Sequence, residues 1–317
     1  MIDDAEAGAQ PHGTAVCPPG ALSYPAGVLP FGPGHPVLCV NDQCGYLVEQ
    51  PKIQAELLVG DFSSIIALAR RGMDQGLYVF NVQLMEAHLL PEQRRLMPRI
   101  VAAVFQATGC CIAVDARDPG TVDLSLDAYP FKAMCNSVNG EPENLRAMLP
   151  VVARHGAAIG TALVYEGGVP KTVAERLLVA RRIVHAAEAH GIPRQDVIID
   201  AVCLPSAVAP GSMRVTLETI KALHEELEVP VLLGISNAGY MMPNPRMVDL
   251  ACFLASVSWG LDVAMIDPST PLLPWLSKAG DFLNGVDPVG KGYLDYYRKM
   301  RVAKPEGICM MPPSLSI

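Results

Sequence analysis

The stretch "AAIGTALVYEGGVPKTVAERLLVARRIVHAAEAHGIPRQDVIIDAV", residues 157–202, holds two short apolar runs with a long helical pattern between them. The runs, "AAIGTALV" and "DVIIDAV", do not alternate apolar with polar residues, as a strand with one wet face would. They read as strands buried on both faces, the signature of a parallel sheet. Between them, "KTVAERLLVARRIVHAAEAH" carries helix formers throughout. Thr172 and Glu175 have the spacing of a capping box at its start. Gly191 follows its end, where the left-handed residue that stops a helix is expected. Two buried strands joined by a helix form a parallel βαβ unit.

The same unit repeats along the chain. From Pro36 onward eight runs recur: "PVLCVND", "LYVFNVQ", "CIAVDAR", "KAMCNSV", "AAIGTALV", "DVIIDAV", "VPVLLGISN" and "LDVAMIDP". Helical stretches separate them, and Gly76, Gly109, Gly156, Gly191 and Gly260 each follow one. Eight such units within residues 36–300 predict an α/β chain folded as one (β/α)8 barrel, a TIM barrel. Residues 1–35 are expected to form an extended Pro/Gly-rich N-terminal arm, and residues 301–317 a C-terminal tail. A doubly wound sheet would carry a Gly-rich phosphate loop after its first strand. "CVNDQCGYLVEQ" has no G-x-G-x-x-G.

The chain has 317 residues, 50% of them hydrophobic and 18% charged, with a net charge of -8. That balance argues against nucleic acid or an anionic membrane as the main partner. No apolar run approaches the roughly 18 residues of a membrane span. "MIDDAEAGAQPHG" lacks the basic-then-apolar order of a signal peptide, so a cytoplasmic protein is expected. The nine cysteines mostly lie inside apolar runs, which reads as buried free thiols rather than a disulfide framework. Cys110–Cys111 and Cys39/Cys44 have no further pair or neighbouring histidine to complete a zinc set, and no metal is expected.

In a barrel of this kind the active site lies at the C-terminal ends of the strands. There the sequence places Asn41 and Asp42, Asn81, Asp115, Asn136, Asp200, Ser236 and Asn237, and Asp267. Any one of them could be a helix cap or a turn. Their repetition at strand after strand points instead to a pocket of short carboxylates and carboxamides with few cations. Such a pocket suits a neutral ligand with several N–H donors and ring acceptors, and suits a phosphorylated sugar badly. No nucleophile–base set stands out, so positioning and hydrogen bonding are the expected chemistry.

"CIAVDAR", "MCNSVNGE", the stretch from "HGAAIGTALV" to "IIDAVCLP", and "TLETIKALHEELEVPVLLGISNAGYMMPNPR" resemble the pterin-binding methyltransferases. Among these they are most similar to the methyltetrahydrofolate–corrinoid methyltransferases, over residues 36–270. The resemblance implies a homodimeric TIM barrel that exchanges a methyl group between N5 of tetrahydrofolate and the cobalt of a corrinoid (cobalamin). It sets Asp115, Asn136 and Asp200 on the polar edge of the pterin and Asn237, the catalytic residue, beside N5. Gly234 and Ser236 shape the same wall. Asn41, Asn81 and Asp267 stand at neighbouring strand ends, and Arg246 matches an arginine of the family's loop. No D-x-H-x-x-G is present, so the corrinoid is expected on a partner protein. Transfer from methylcorrinoid to tetrahydrofolate is the expected direction.

The chain departs from the family at two places. Val79 stands where relatives carry Asp two residues before the second-strand Asn, and Tyr240–Pro245 lengthen the loop after Asn237. The first departure keeps open a non-catalytic folate-binding subunit. Dihydropteroate synthase is a further alternative, but it needs cations for its diphosphate leaving group where this chain has Asn237–Ala238.

Overall fold

The computed structural model describes residues 17–269 and 272–303. The remainder of the expected arm (residues 1–16) and tail (residues 304–317) lies outside the described residues. A short hairpin comes first, with β1 (Ala21–Tyr24) paired antiparallel to β2 (Gly27–Pro30). Eight parallel strands then close into a barrel. They are β3 (Leu38–Asn41), β4 (Val79–Gln83), β5 (Cys111–Asp115), β6 (Met134–Asn139), β7 (Ala158–Ala162), β8 (Val197–Asp200), β9 (Val231–Gly234) and β10 (Val263–Ile266). Each pairs with its neighbours in chain order, and β10 returns to β3. All eight coincide with the eight apolar runs of the sequence.

The helices are α1 (Pro51–Val59), α2 (Ser63–Asp74), α3 (Gln93–Thr108), α4 (Pro119–Asp127), α5 (Pro142–His155), α6 (Val173–Ala189), α7 (Ser212–Leu227), α8 (Pro245–Ser258), α9 (Leu273–Leu283) and α10 (Lys291–Ala303). The capping box at the head of α6 is present: Glu175 N donates to Thr172 Oγ1 at 3.2 Å, and Thr172 N donates to Glu175 Oε2 at 3.0 Å. All five helix-stop glycines have positive φ, such as 68° at Gly109 and 60° at Gly156. Helix α10 runs past residue 300, so the expected tail boundary falls inside a helix. No helix among the described residues is long and apolar enough to cross a membrane.

Two packed layers result. Outward-facing strand residues such as Phe80, Ile112, Ile159 and Leu233 pack under the helices. Inward-facing ones, among them Val40, Val79, Cys111, Met134, Ile198 and Val263, fill the lower barrel. The described part of the arm packs on the body: residues 20–31 plug the barrel from below. Leu22 and Phe31 belong to the interior cluster. Ser23 N donates to Lys132 O, just before β6, and Gly20 N donates to Asp196 Oδ1, just before β8. Lys132 Nζ lies 2.7 Å from Asp196 Oδ2 with both side chains almost wholly buried. The bottom of the barrel is thus closed, and any ligand must enter at the top.

Candidate active site

Strand side chains alternate between faces. Going up each strand, the residues above the packed interior layer are therefore those that can reach a ligand. Above Val40, Cys111 and Ala113, Met134, Ile198 and Leu232 stand Asp42, Asp115, Asn136, Asp200 and Gly234. These residues, with Thr161, Ala162 and Asn237, line one cavity of about 170 Å³ floored by Leu232 and Met265. Pockets for drug-sized ligands run to roughly 300–1,000 Å³. This cavity therefore holds a ring system and leaves the rest of a larger ligand outside. Among the described residues no lysine or arginine lines it.

One expected residue is corrected. Asn41 is buried on the outer face of β3, where its Nδ2 faces Leu68 O of α2 at 3.4 Å and its Oδ1 accepts from Gln43 N at 3.1 Å. Asp42, the next residue, takes the inward place. Asn81 faces inward but supports rather than lines the cavity, donating from Nδ2 to Asp42 Oδ1 at 2.8 Å. Its own Oδ1 is buried with no partner among the described residues, as is Thr161 Oγ1. Val79 sits one layer below Asn81, fully buried in the interior cluster.

Two carboxamides on β4 hold two carboxylates. Asn81 holds Asp42. Gln83, in the orientation that satisfies both its neighbours, donates to Asp115 Oδ2 at 2.7 Å and accepts from Gly45 N at 3.2 Å. Burial pushes Asp42 from the ordinary carboxylate range up to about 7. The Asn81 hydrogen bond opposes the shift, and the charges of Asp115 and Asp267 add to it.

Asp200 is held differently. Val202, two residues on, has φ 61°, a strained value for a β-branched residue. In that conformation Val202 N donates to Asp200 Oδ1 at 2.8 Å. The carbonyls of this turn are held from below by Arg176 of α6, a fully buried cation. Its Nη1 donates to Ala201 O at 2.7 Å and to Val202 O at 3.2 Å, while Thr216 Oγ1 donates to Val202 O at 2.8 Å. Burial raises Asp200 to about 6, opposed by the Val202 hydrogen bond and the Arg176 charge. Nothing in the sequence pattern marks Arg176, because a helical arginine ordinarily faces water.

Glycines make room for the two carboxamides. A Cβ on Gly160 would lie 2.5 Å from Asn136 Oδ1, and one on Gly234 would lie 2.8 Å from Asn237 Nδ2. Asn136 stands where the β6–β7 register shifts between Cys135 and Val138. Asn237 ends a single 3-10 turn, Ile235–Asn237, at the top of β9. Ser236 shares that turn but does not line the cavity. Beyond it, Asp249 Oδ1 accepts from Gly239 N at 2.8 Å, and Tyr240 and Met241 are exposed. Met241 and Asn244 both have positive φ, so the lengthened loop is a tight one.

The remaining expected residues stand at the rim. Asp267 accepts from Ser269 N and Ser269 Oγ, and Arg246, exposed at the start of α8, reaches Ser269 Oγ at 3.5 Å. A larger cavity, about 680 Å³, opens at the bottom beside His35, His224, Asp262 and Asp281. Its two buried carboxylates are already engaged, Asp262 with Val231 N and His224, and Asp281 with Val37 N. Asp123, Asp127 and His155 cluster on α4 and α5, but Asp123 is bound by His155 and Arg154 there. The small top cavity is where polar groups converge.

Comparison with known proteins identifies a family. The family described as pterin binding enzyme matches residues 52–267. Methionine synthase of Mycobacterium leprae is 30% identical over 173 residues, 50% of this chain but only 14% of that protein's length. The methylcorrinoid:tetrahydrofolate methyltransferase of Eubacterium limosum is 21% identical over 204 residues, 63% of this chain and 74% of that one. Among solved structures, the dihydropteroate synthase of Yersinia pestis superposes with TM-score 0.58 at 14% identity, covering 84% of this chain and 99% of that one. That likeness speaks to the fold.

Proposed function

The chain belongs to the pterin-binding enzymes, and from that membership we propose that it transfers a methyl group between a corrinoid and N5 of tetrahydrofolate. The observation that carries the reading is the lining of the top cavity: three carboxylates and two carboxamides, no cation among the described residues, and Asn237 at the end of β9. A synthase that expels diphosphate requires positive charge at that place. A methyl transfer requires none, because no phosphate leaves.

On this reading the pterin ring fills the cavity and its tail leaves through the top. The 2-amino group and N3–H of a pterin form a donor pair that a carboxylate accepts with both oxygens. Asp200 and Asp115 are the acceptors, and Asn136 supplies both a donor and an acceptor to the same edge. Asn237 faces N5. As methyl leaves or joins N5, its bonding and charge change, and a carboxamide held there can strengthen its hydrogen bond in the transition state. Gly234 keeps that carboxamide in place by having no side chain.

The physiological direction in this reading is from methylcorrinoid to tetrahydrofolate, with the corrinoid carried by a separate protein over the barrel mouth. The binding-only alternative drew on the missing carboxylate at Val79. In this chain Asp42 stands beside Asn81 instead, so the site is not short of a carboxylate.

Rapid mixing of the protein with tetrahydrofolate and methylcobalamin tests the proposal. The expected result is loss of the methylcobalt absorbance with formation of cob(I)alamin and 5-methyltetrahydrofolate in equal amounts. Tight folate binding with no cobalt change in either direction would overturn it in favour of a binding subunit.

A further inference from the structure

The Asp42 carboxyl is not needed to hold the pterin edge in the reading above, yet it is built into the same cavity. It stands at the top of β3, across the barrel from Asp200, and its Oδ1 is occupied by Asn81 Nδ2 at 2.8 Å. Its other oxygen, Oδ2, has no hydrogen-bond donor among the described residues. Gly45 gives it room, since a Cβ there would lie 3.3 Å from Oδ2 and 2.6 Å from the Gln83 amide. Asn81 is itself fixed deep in the barrel wall, so one oxygen of Asp42 is tied down and the other is left for the cavity.

The proposed reaction leaves a proton to be placed. Tetrahydrofolate carries hydrogen on N5, and 5-methyltetrahydrofolate does not. When the N5 lone pair bonds to the methyl carbon, the cobalt–carbon electron pair stays on cobalt, which falls from Co(III) to Co(I). N5 is then a cation bearing both methyl and hydrogen, and it must lose the proton. A carboxamide such as Asn237 can hydrogen-bond to N5, but it cannot take up that proton near neutral pH. Asp115 and Asp200 are engaged by the pterin edge.

We propose that Asp42 Oδ2 accepts the N5 proton during methyl transfer to tetrahydrofolate and returns it in the reverse reaction. This inference rests on the methyltransferase reading of the site. The charged and titratable groups around Asp42 support it. From β5 comes Asp115, from the end of β10 Asp267, and from the turn after β3 Cys44, whose thiol burial pushes up. Asp200 faces it across the cavity, and among the described residues no cation lines that space. Burial first, then the neighbouring acids, raise Asp42 to about 7, so it can both take and give a proton near neutral pH. The neutral acid carries its hydrogen on Oδ2, toward the cavity, because Oδ1 accepts from Asn81.

The test is the pH profile of single-turnover methyl transfer in both directions, with methylcobalamin and tetrahydrofolate one way and cob(I)alamin and 5-methyltetrahydrofolate the other. In the wild-type protein the forward rate should rise with pH through about 7 and the reverse rate should fall through the same value. Asp42→Asn keeps the acceptor for Asn81 but cannot exchange the proton. It should slow transfer roughly 100-fold or more and flatten both profiles, while tetrahydrofolate affinity stays within about threefold. Asp42→Glu should restore part of the rate together with the pH inflection. A wild-type rate and profile in Asp42→Asn overturns the proposal. So does a loss of folate affinity that accounts for the whole rate loss, which would make Asp42 a binding residue. A wild-type protein that binds tetrahydrofolate but moves no methyl either way refutes the methyltransferase reading itself, whatever Asp42 does.

Discussion

Gly234→Ala is the smallest change that tests the place of Asn237. The backbone at Gly234 has φ -77° and ψ 99°, which alanine adopts without strain. The effect is therefore steric. The new methyl would sit 2.8 Å from Asn237 Nδ2 and 3.7 Å from its Cγ, so the amide nitrogen must retreat about 0.6 Å to reach ordinary contact. Losing an aligned donor at a reacting centre costs about 10²–10³ in rate, and misplacement by about 1 Å about 10². A retreat of this size should slow methyl transfer about 10- to 100-fold, or about 1.4–2.7 kcal/mol in the barrier. Added bulk in a packed wall should lower stability by about 1–3 kcal/mol at most. The assay is a single-turnover cobalt absorbance measurement at saturating tetrahydrofolate, on Gly234→Ala, Asn237→Ala and the double variant. If the glycine acts through the amide, Gly234→Ala should cost almost nothing further in a protein that already carries Asn237→Ala. Fully additive losses would refute the reasoning, as would a wild-type rate in Gly234→Ala.

Three further outcomes follow from the same geometry. Asp200→Ala should weaken tetrahydrofolate binding by about 1–3 kcal/mol, because it strands buried donors of the ligand. In the wild-type protein that affinity should fall as pH drops through about 6, where Asp200 takes up a proton; titration calorimetry across that range checks both. Asp196→Ala removes the acceptor of Lys132 Nζ and of Gly20 N at the barrel bottom. It should cost about 3–5 kcal/mol in denaturant unfolding while leaving folate affinity unchanged. Asp42→Asn should change stability in a pH-dependent way. Burial raises Asp42 above its unfolded value, so its proton favours the folded state; that contribution is complete below about pH 4 and is lost as pH rises through 7. The variant should therefore be the more stable protein at about pH 8, with the gap narrowing by on the order of 2 kcal/mol at about pH 5. Denaturant midpoints at the two pH values measure the difference.

The barrel is legible in the sequence because a strand covered on both faces must be apolar along its whole length, and eight such runs leave few alternatives. The helix ends are legible for a local reason: a capping box and a left-handed glycine are decided within four residues. The hairpin plug is not. Its residues make no internal pattern, and Leu22 and Phe31 find their partners on strands far along the chain. Helix α1 is equally quiet, with only Ile53 and Leu57 buried along it.

Within the site, legibility follows the alternation of the strands. Asp115, Asn136 and Asp200 end their runs in the phase that faces the barrel axis, and the structure brings all three together. At the first barrel strand two polar residues follow one another, and the sequence alone does not say which faces inward. A shift of one residue exchanges the faces. Asn41 lies against α2, and Asp42 enters the cavity. That single phase also changes the meaning of Val79. Read along its own strand, it is an acid lost from the site. In three dimensions it is a packed side chain under Asn81, and the acid beside Asn81 comes from the neighbouring strand. The proton-transfer argument thus turns on a residue whose importance follows from the register of β3 against β4, Val40 opposite Val79 and Asn41 opposite Phe80, which sets Asp42 within reach of Asn81.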